Sequence, residues 1–279
     1  MTSPTTFGLH TVWGTGSTDV YAGGEGGVII HYDGANWTPV QDADVVSPYS
    51  VKSISGSGPS DVWAATSDNR LLHGPAAKWS STDPCPEPGS FHPEFSALQV
   101  FSAGEAIAVH FDQGTICQQR GGIWQPSSLV LQFDSGFQDV WGTGPNDIFV
   151  VGSRRLAHFD GLSWSVVVEN VSAVALWGSS STDVWALGGP YGGLKNSGLR
   201  YGGSQWSVVS AAPGAVEIWG SGPNDVYAVD TGYSIWHYDG KAWSEIKTQA
   251  TSSLNAIWGS GPTDVFAVGD KGTILHWTP

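Results

Sequence analysis

The 279-residue chain is poor in the residues that build exposed helices and in long apolar runs. It contains 11 Lys and Arg residues and a single Met, and charged residues make up 13% of it, about half of ordinary usage. Together with abundant Gly, this scarcity argues against a helical protein. No apolar run approaches the roughly 20 residues of a membrane-spanning helix, and MTSPTTFGLH at the start is not a signal peptide.

Positive charge is scarce as well. The net charge is −14 and the isoelectric point is about 4.7, which disfavours nucleic acid and anionic membrane surfaces as partners. Disorder is also disfavoured, because a chain with 40% hydrophobic and 12% aromatic residues can bury a large core.

Gly (38 residues) and Trp (15 residues) are in excess, and both recur in a repeat. The segment VWGTGSTDVYAGGEGGVIIHYDGANW begins at Val12, and six further copies of varying quality follow it. These copies begin at Ile54, near Val100, and at Val140, Leu176, Ile218 and Ile257. In six of the copies a His, Gln or Arg precedes a Trp by six residues, as His31 precedes Trp37. The common spacing makes the repeat a strong signal.

Each copy predicts four short strands, here called A to D. Strand A ends at W-G, a G-S-G-P-N-D turn follows, and strand B is D-V-(Y/W/F)-A-V. Strand C is I-L-H-Y, and a D-G turn leads to strand D, which starts at the Trp. Seven such units predict an all-β, seven-bladed β-propeller with four-stranded antiparallel blades.

The repeat resembles that of bacterial β-propeller repeat proteins built from tandem W-G-S-G-P-x-D-V-(W/Y/F)-A-V-G and H-Y-D-G-x-x-W units, over roughly residues 9 to 277. The C–D turn is similar to the Asp-box hairpin of sialidase-like propellers, although it lacks the Ser or Thr two places before the Asp. The similarity to WD40 repeats is in period only. Such a resemblance implies a fold and a binding role and does not imply a catalytic site.

We expect one domain over residues 1–279, with repeats starting near residues 9, 51, 98, 138, 174, 216 and 255. The last repeat stops before its fourth strand. We therefore expect the N-terminal segment to supply the outer strand of the last blade and to close the ring; the alternative is a three-stranded blade with a frayed N-terminus.

Residues shared by most copies are interpreted as structural. The Trp of strand A and the aromatic residues of strand B should fill the space between blades. We expect each strand C His to bond a turn Asp or a backbone group of its own blade, because one His per blade is too spread out to bind a metal. The Asp residues of the A–B turns should cap their own turn backbones. The His series is His31, His73, His158, His237 and His276.

Length variation is confined to the B–C and D–A loops, which share one face of a propeller, so we predict the ligand-binding site there. Loop 80–97 contributes Phe91 and His92, and the blade 5 loop contributes Tyr191, Lys195 and Asn196, an apolar and polar mixture suited to a small ligand. Eleven of the 25 carboxylates also fall in these loops, and Glu25, Asp112, Asp230 and Asp270 are candidates for ligand contact. The acidic loops would increase solubility, bind a cationic partner or bind Ca²⁺. No contiguous calcium-binding loop is present to support Ca²⁺, so no cofactor is predicted.

Cys85 and Cys117 either form one disulfide that tethers the long loop, which would fit an exported protein, or remain free thiols. No nucleophile elbow, zinc motif or phosphate loop is present, so an enzyme is not expected. The leading hypothesis is a monomeric, non-catalytic recognition module, outside the cell or in the cell envelope, that binds a glycan. A protein–protein scaffold is the alternative, a glycoside hydrolase is a third class, and a cytoplasmic location stays open.

Overall fold

The computed structural model describes residues 1–40, 48–74, 79–85, 94–111, 115–127, 136–189, 194, 197–230 and 232–278. Within these ranges, 26 strands form seven antiparallel sheets that surround a central tunnel. The predicted all-β, seven-bladed propeller is therefore confirmed. The described residues include no α-helix, only two single 3-10 turns, Glu25–Gly27 and Asp270–Gly272, and none of their helices has the length and hydropathy to cross a membrane.

Strand A of each blade lies at the tunnel and the later strands lie progressively outward. Blade 1 comprises β1 (Leu9–Gly16), β2 (Asp19–Gly24), β3 (Ile29–Tyr32) and β4 (Trp37–Pro39). Blade 2 comprises β5 (Val51–Gly58), β6 (Asp61–Thr66), β7 (Leu71–Gly74) and β8 (Ser80–Thr82). Blade 3 comprises β9 (Phe95–Ser102), β10 (Glu105–His110), β11 (Ile116–Arg120) and β12 (Ile123–Pro126). Blade 4 comprises β13 (Phe137–Gly144), β14 (Asp147–Phe159) and β15 (Trp164–Ser172). Blade 5 comprises β16 (Ala175–Ser180), β17 (Asp183–Leu187), β18 (Ser197–Tyr201) and β19 (Trp206–Ser210). Blade 6 comprises β20 (Glu217–Gly222), β21 (Asp225–Val229), β22 (Ser234–Tyr238) and β23 (Trp243–Lys247). Blade 7 comprises β24 (Leu254–Gly261), β25 (Asp264–Gly269) and β26 (Thr273–Trp277).

The hydrophobic core lies at the junctions between blades. Strand B alternates between two junctions, because successive side chains of a strand point to opposite faces. In β21, Val226 and Ala228 pack toward blade 5, whereas Tyr227 and Val229 pack toward blade 7. Each blade is thus covered on both faces, which explains why its second strand consists almost entirely of buried residues.

A turn Asp and a strand C His bond each other in five blades, which confirms the prediction for the His series. The Nε2–Oδ1 distances are 2.6 Å for His31–Asp19, 2.9 Å for His73–Asp61 and 2.7 Å for His158–Asp147, His237–Asp225 and His276–Asp264. In blade 5 Arg200 replaces the His and donates from Nε to Asp183 at 2.6 Å.

The turn Asp residues differ from expectation in their remaining partners. Their second carboxylate oxygen accepts a hydrogen bond from the hydroxyl of the Ser or Thr four residues earlier, rather than capping the turn backbone. In blade 4, for example, Thr143 Oγ1 donates to Asp147 Oδ2 at 2.6 Å. The Asp residues of the D-G turns do cap backbone groups, as Asp239 does for Lys241 and Ala242.

Blades 4 and 7 depart from the regular pattern. β14 supplies both strand B and strand C of blade 4, since Asp147 at its start meets His158 near its end and Arg154 takes a positive φ of 71° between them. In the described residues blade 7 has three strands, so the N-terminal segment does not supply the outer strand that was predicted for it. The segment lies along β26, and the Met1 amine donates to the Ile274 carbonyl at 3.0 Å. Blade 1 closes the ring by packing Leu9 and Val12 with Phe266 and Ile274.

Candidate functional site

A cavity of about 760 Å³ opens where the tunnel meets the B–C and D–A loop face. Its walls are the first residues of the strands A, including Thr11, Ser53 and Asp139, together with residues that follow the ends of strands B, such as Phe111. Deeper in the tunnel a cavity of about 260 Å³ is lined by the strand A tryptophans, Trp13, Trp141, Trp177, Trp219 and Trp258. The mouth is therefore wide and lined by both polar and apolar residues, and the interior is narrower and lined by aromatic rings.

Two carboxylates, Asp139 of blade 4 and Glu217 of blade 6, lie in the wall of both cavities. Asp139 accepts backbone N–H bonds from Val140 at 2.7 Å and from Leu176 of blade 5 at 2.6 Å. Glu217 accepts a bond from the N–H of Ile218 at 3.2 Å. Neither carboxylate has an ion-pair partner in the part of the chain that the structure describes.

The environment of the pair disfavours two negative charges. Burial raises the pKa of Asp139 to about 7, although its two backbone hydrogen bonds act in the opposite direction. Burial also raises the pKa of Glu217 well above its usual value, and the negative charge of Asp139 raises it further. Near neutral pH the pair therefore holds less than its full two negative charges.

These two residues were missed in the sequence analysis, although a signal for them exists. They occupy one position of strand A, two residues before the Trp of the W-G pair, as Asp139 precedes Trp141. The pairing of strands A and B places Thr11, Ser53, Ala97, Ala175 and Ala256 at the same position in the other blades. All five are uncharged, so a carboxylate at this position is a departure from the repeat, as informative as the variation in the loops.

A second polar group lies on the rim, around His10. Burial lowers the pKa of His10, and the positive charge of Lys52 lowers it further, whereas Glu25 and Asp270 act in the opposite direction. The Nζ atom of Lys52 lies 3.4 Å from Oε2 of Glu94. The rim is thus a mixed-charge arc formed by blades 7, 1 and 2 and the start of blade 3.

The predicted loop residues have mixed outcomes. Phe91, His92, Asp112, Tyr191, Lys195 and Asn196 lie outside the described residues. Glu25 and Asp270 flank the tunnel mouth, where Glu25 accepts the Gly8 N–H at 2.9 Å and Asp270 accepts from Asn255 Nδ2 at 2.8 Å.

Asp230, in the B–C loop of blade 6, accepts the Gly232 N–H at 2.7 Å and bonds Trp236 Nε1 at 3.2 Å. It does not line the mouth cavity. Its carboxylate therefore bonds within its own loop, whereas Glu25 and Asp270 bond residues near the start of strand A of their blades. A role of these three in ligand contact stays a prediction.

The two cysteines form a disulfide. Cys85 follows strand D of blade 2, Cys117 lies on strand C of blade 3, and their Cα atoms are 6.0 Å apart. Both are buried in the blade 2–blade 3 cluster beside Trp63 and Leu98. The bond ties the connection between these blades to the third blade.

The arrangement does not assemble the arginine cluster that a sialidase-like site needs. Arg200 bonds Asp183, and Arg120 donates to the Pro145 carbonyl at 2.6 Å. No arginine is found among the described residues that line the mouth cavity. No group of three His, Cys, Asp or Glu side chains placed to hold a metal ion occurs in the described ranges either.

Comparison with known proteins places the chain among propellers at low sequence identity. No family model and no curated protein matches it. A structure of YCF48 bound to D1 peptide is 17% identical, with a TM-score of 0.78, and the match covers 100% of this chain and 96% of that one. Virginiamycin B lyase from Staphylococcus aureus is 11% identical, with a TM-score of 0.80 and coverages of 99% and 96%. The WD40 propeller domain of Doa1 is 10% identical, with a TM-score of 0.76 and coverages of 99% and 93%. At these identities the similarity shows the fold alone.

Proposed function

We propose that the chain is a non-catalytic recognition module that binds a protein segment through a Lys or Arg side chain seated in the tunnel mouth. The observation that carries this proposal is the Asp139–Glu217 pair in the wall of the 760 Å³ cavity. A cation between two mutually repelling carboxylates relieves their repulsion, and a partly enclosed site strengthens the attraction relative to water. The net charge of −14 would also speed the approach of a basic partner.

Several further features support a peptide ligand. YCF48, one of the propellers of similar fold, has been solved with a bound peptide. The mouth combines carboxylates with apolar walls at Phe95, Val174 and Val216, a mixture that fits an extended segment with one charged and several apolar side chains. The strand A tryptophans are packed between blades, which weakens the argument for glycan binding that rested on aromatic content.

The pair predicts a specific pH dependence. The pKa of Asp139 is raised to about 7 in the free protein, and a bound cation would lower it, so binding should release protons. Affinity should therefore increase as the pH rises from about 5.5 to 8 and then level off. Calorimetric titrations in buffers of different ionisation enthalpy measure the protons released. An affinity that falls or stays constant over this range would contradict the role of the pair.

A peptide array tests the ligand class. Short glycine–serine peptides that differ only in one central residue (Lys, Arg, Glu or Leu) should bind in the order Lys or Arg above Leu above Glu, and added salt should weaken binding. Glu217→Gln should weaken the Lys and Arg peptides about tenfold, since it removes one charge and keeps the shape. Glu245→Gln, the same change on the outer strand of the same blade, is the matched control and should change affinity less than about twofold. If Glu217→Gln leaves the affinity for the Lys and Arg peptides unchanged, the proposal is refuted.

Glycan binding is the competing outcome. Phe111, which lines the mouth and is exposed, is the described aromatic residue best placed to stack on a sugar ring. The lectin-like function would be favoured over peptide binding if the protein binds reproducibly to a glycan array, if Phe111→Ala abolishes that binding, and if Glu217→Gln does not.

A further inference from the structure

The outer edge of blade 7 is only partly covered. Among the described residues, no strand pairs with β26 on its outer side. The N-terminal segment runs antiparallel to β26, since a methyl group on Gly272 would lie 2.0 Å from the Thr5 carbonyl oxygen, while the Met1 amine bonds Ile274. Met1 therefore lies beside Ile274, and Leu275, His276 and Trp277 extend past it.

In other blades a Trp at the start of strand D lies beside the last residue of strand C, the position of Trp277 in blade 7. Trp37 is paired with Tyr32, Trp206 with Tyr201 and Trp243 with Tyr238. Each of these Trp rings packs across the junction against the strand B aromatic residue of the preceding blade. The ring centroids are 6.2 Å apart for Trp37–Phe266, 6.0 Å for Trp206–Phe149 and 5.6 Å for Trp243–Trp185.

The corresponding place in blade 7 is a groove of about 450 Å³. The strand B aromatic residue of the preceding blade, Tyr227, lies in its wall together with Ile235, Val265, Leu275 and Trp277. Trp277 takes the position of Tyr32 and Tyr238, yet it is 43% exposed whereas those residues are 7% and 8% exposed. Among the described residues, the groove therefore corresponds to the position that a strand D Trp fills in those blades, and its apolar walls are already formed.

The residue after that Trp also has a defined contact. In five blades it is Ser or Thr, at Thr38, Ser80, Ser165, Ser207 and Ser244. In three of these blades its hydroxyl donates to the carbonyl of the strand C His or Arg, at 3.5 Å from Thr38 to His31, 3.2 Å from Ser80 to His73 and 3.2 Å from Ser207 to Arg200. The equivalent carbonyl in blade 7 belongs to His276, since Trp63↔His73 and Phe266↔His276 are matching pairs.

We propose that this groove binds an extended peptide containing Trp followed by Ser or Thr, supplied by a protein partner. The peptide adds to β26 as an antiparallel strand, with its Trp beside Trp277 and against Tyr227 and its hydroxyl on the His276 carbonyl. Exposed strand edges bind peptides in this way, with backbone bonds providing affinity and side-chain pockets providing specificity. The covered part of the edge limits the added strand to about three residues between Trp277 and Met1. This site is separate from the tunnel mouth.

A peptide taken from the protein's own blade 4 is a direct probe. The blocked peptide DGLSWSV, equivalent to residues 160–166 and free of Lys and Arg, should show saturable binding to the 279-residue chain by calorimetry. Hydrogen exchange should show new protection at β26. Replacing its Trp by Ala should weaken binding about tenfold or more, because a buried Trp is a typical anchor of an interface.

A filled groove provides the test on the protein side. Ile246 is 39% exposed and lines the groove, so Ile246→Trp should fold, occupy the groove and weaken binding about tenfold. Val208→Trp, on the exposed face of strand D of blade 5, is the matched control and should leave binding unchanged. Glu217→Gln should also leave it unchanged, which separates this site from the tunnel mouth. The proposal is overturned if the peptide does not saturate, if its Trp is dispensable, or if Ile246→Trp binds as well as the control.

Discussion

Six of the seven blade junctions share one contact at the tunnel, and the junction between blades 2 and 3 lacks it. In the six, an aromatic ring of one strand A lies over the Gly of the next. A methyl group on Gly220 would lie 2.6 Å from Trp177 Cη2, and one on Gly56 would lie 2.6 Å from Trp13 Cη2. Such approaches leave no room for a side chain, which explains the W-G pairs. Blade 2 instead carries Ser55 in place of the Trp, and blade 3 carries Val100 in place of the Gly, as the pairing of strands A and B shows.

Ser55 and Val100 show that both sides of a junction change together. Because Ser55 carries no ring, there is space for the side chain of Val100. Ser55 instead accepts the Val100 N–H at 3.0 Å, and Ser53 accepts the Leu98 N–H at 3.2 Å. Farther out this junction keeps an aromatic contact, Trp63–Trp124 at 5.7 Å, and it adds the Cys85–Cys117 disulfide. Hydrogen bonds and a covalent link thus take the place of one ring-on-glycine contact.

Breaking the disulfide should have the largest effect on this comparison. The double variant Cys85→Ala/Cys117→Ala opens a loop between residues 32 positions apart, and it should lower the free energy of unfolding by about 2–4 kcal/mol. Urea unfolding followed by Trp fluorescence measures the loss. Adding a thiol reductant should lower the stability of the parent and leave that of the double variant unchanged. Equal stability of the two proteins without reductant would mean that the hydrogen bonds alone hold this junction.

Placing a methyl group in a regular junction should have the next largest effect. Gly220→Ala puts a Cβ against Trp177 and 2.8 Å from the Asp225 carbonyl oxygen, so we expect a loss of about 1–3 kcal/mol. Gly222→Ala, two residues later with no atom within 4 Å of its added methyl group, should be neutral or slightly stabilising. Thermal unfolding of the two variants gives the difference, and equal melting temperatures would show that the ring moves aside freely.

Converting the odd junction into a regular one should reveal coupling. Ser55→Trp alone should destabilise the protein, because its ring meets the side chain of Val100 and the Val100 N–H loses its acceptor. Adding Val100→Gly should recover about 1–2 kcal/mol, whereas Val100→Gly alone should destabilise the parent because it removes a buried side chain. A double-mutant cycle from urea unfolding measures this term. A coupling energy of zero would show that the two positions contribute to stability independently.

The smallest effect is expected inside blade 2. Burial acts to raise the pKa of Asp61, but hydrogen bonds from Ser57, Trp63 and His73 outweigh it and lower the pKa below its usual value. A lowered pKa in the folded state means that the ionised group stabilises the protein above about pH 4 and that the benefit is lost as the pH falls through the lowered pKa. Asp61→Asn should therefore cost about 1 kcal/mol at neutral pH, after allowance for solvent screening, and less below pH 4. A cost that does not vary with pH would point to lost packing instead.

Repetition decided which features could be predicted from the sequence. The blades, the His–Asp pairs and the packing role of Trp and Gly recur in most copies, and each copy supports the others. Asp139 and Glu217 are single departures at a position that is uncharged in the other blades, and their proximity depends on the curvature of the ring, which no linear spacing encodes. The arrangement of the N-terminal segment was anticipated only in part, because one backbone bond and a few contacts hold it along β26.

The ring-on-glycine contact has a consequence for how such a chain can evolve. Because a ring on one repeat requires a Gly on the next, a repeat is not an interchangeable unit. Its first strand must match the repeat before it. A duplicated or deleted copy would be accommodated where both flanking junctions are of the Trp–Gly kind. The second and third repeats would have to be inherited together, since Val100 placed after a Trp-bearing repeat would meet its ring. In this sense the heritable module at that point of the ring is a pair of repeats.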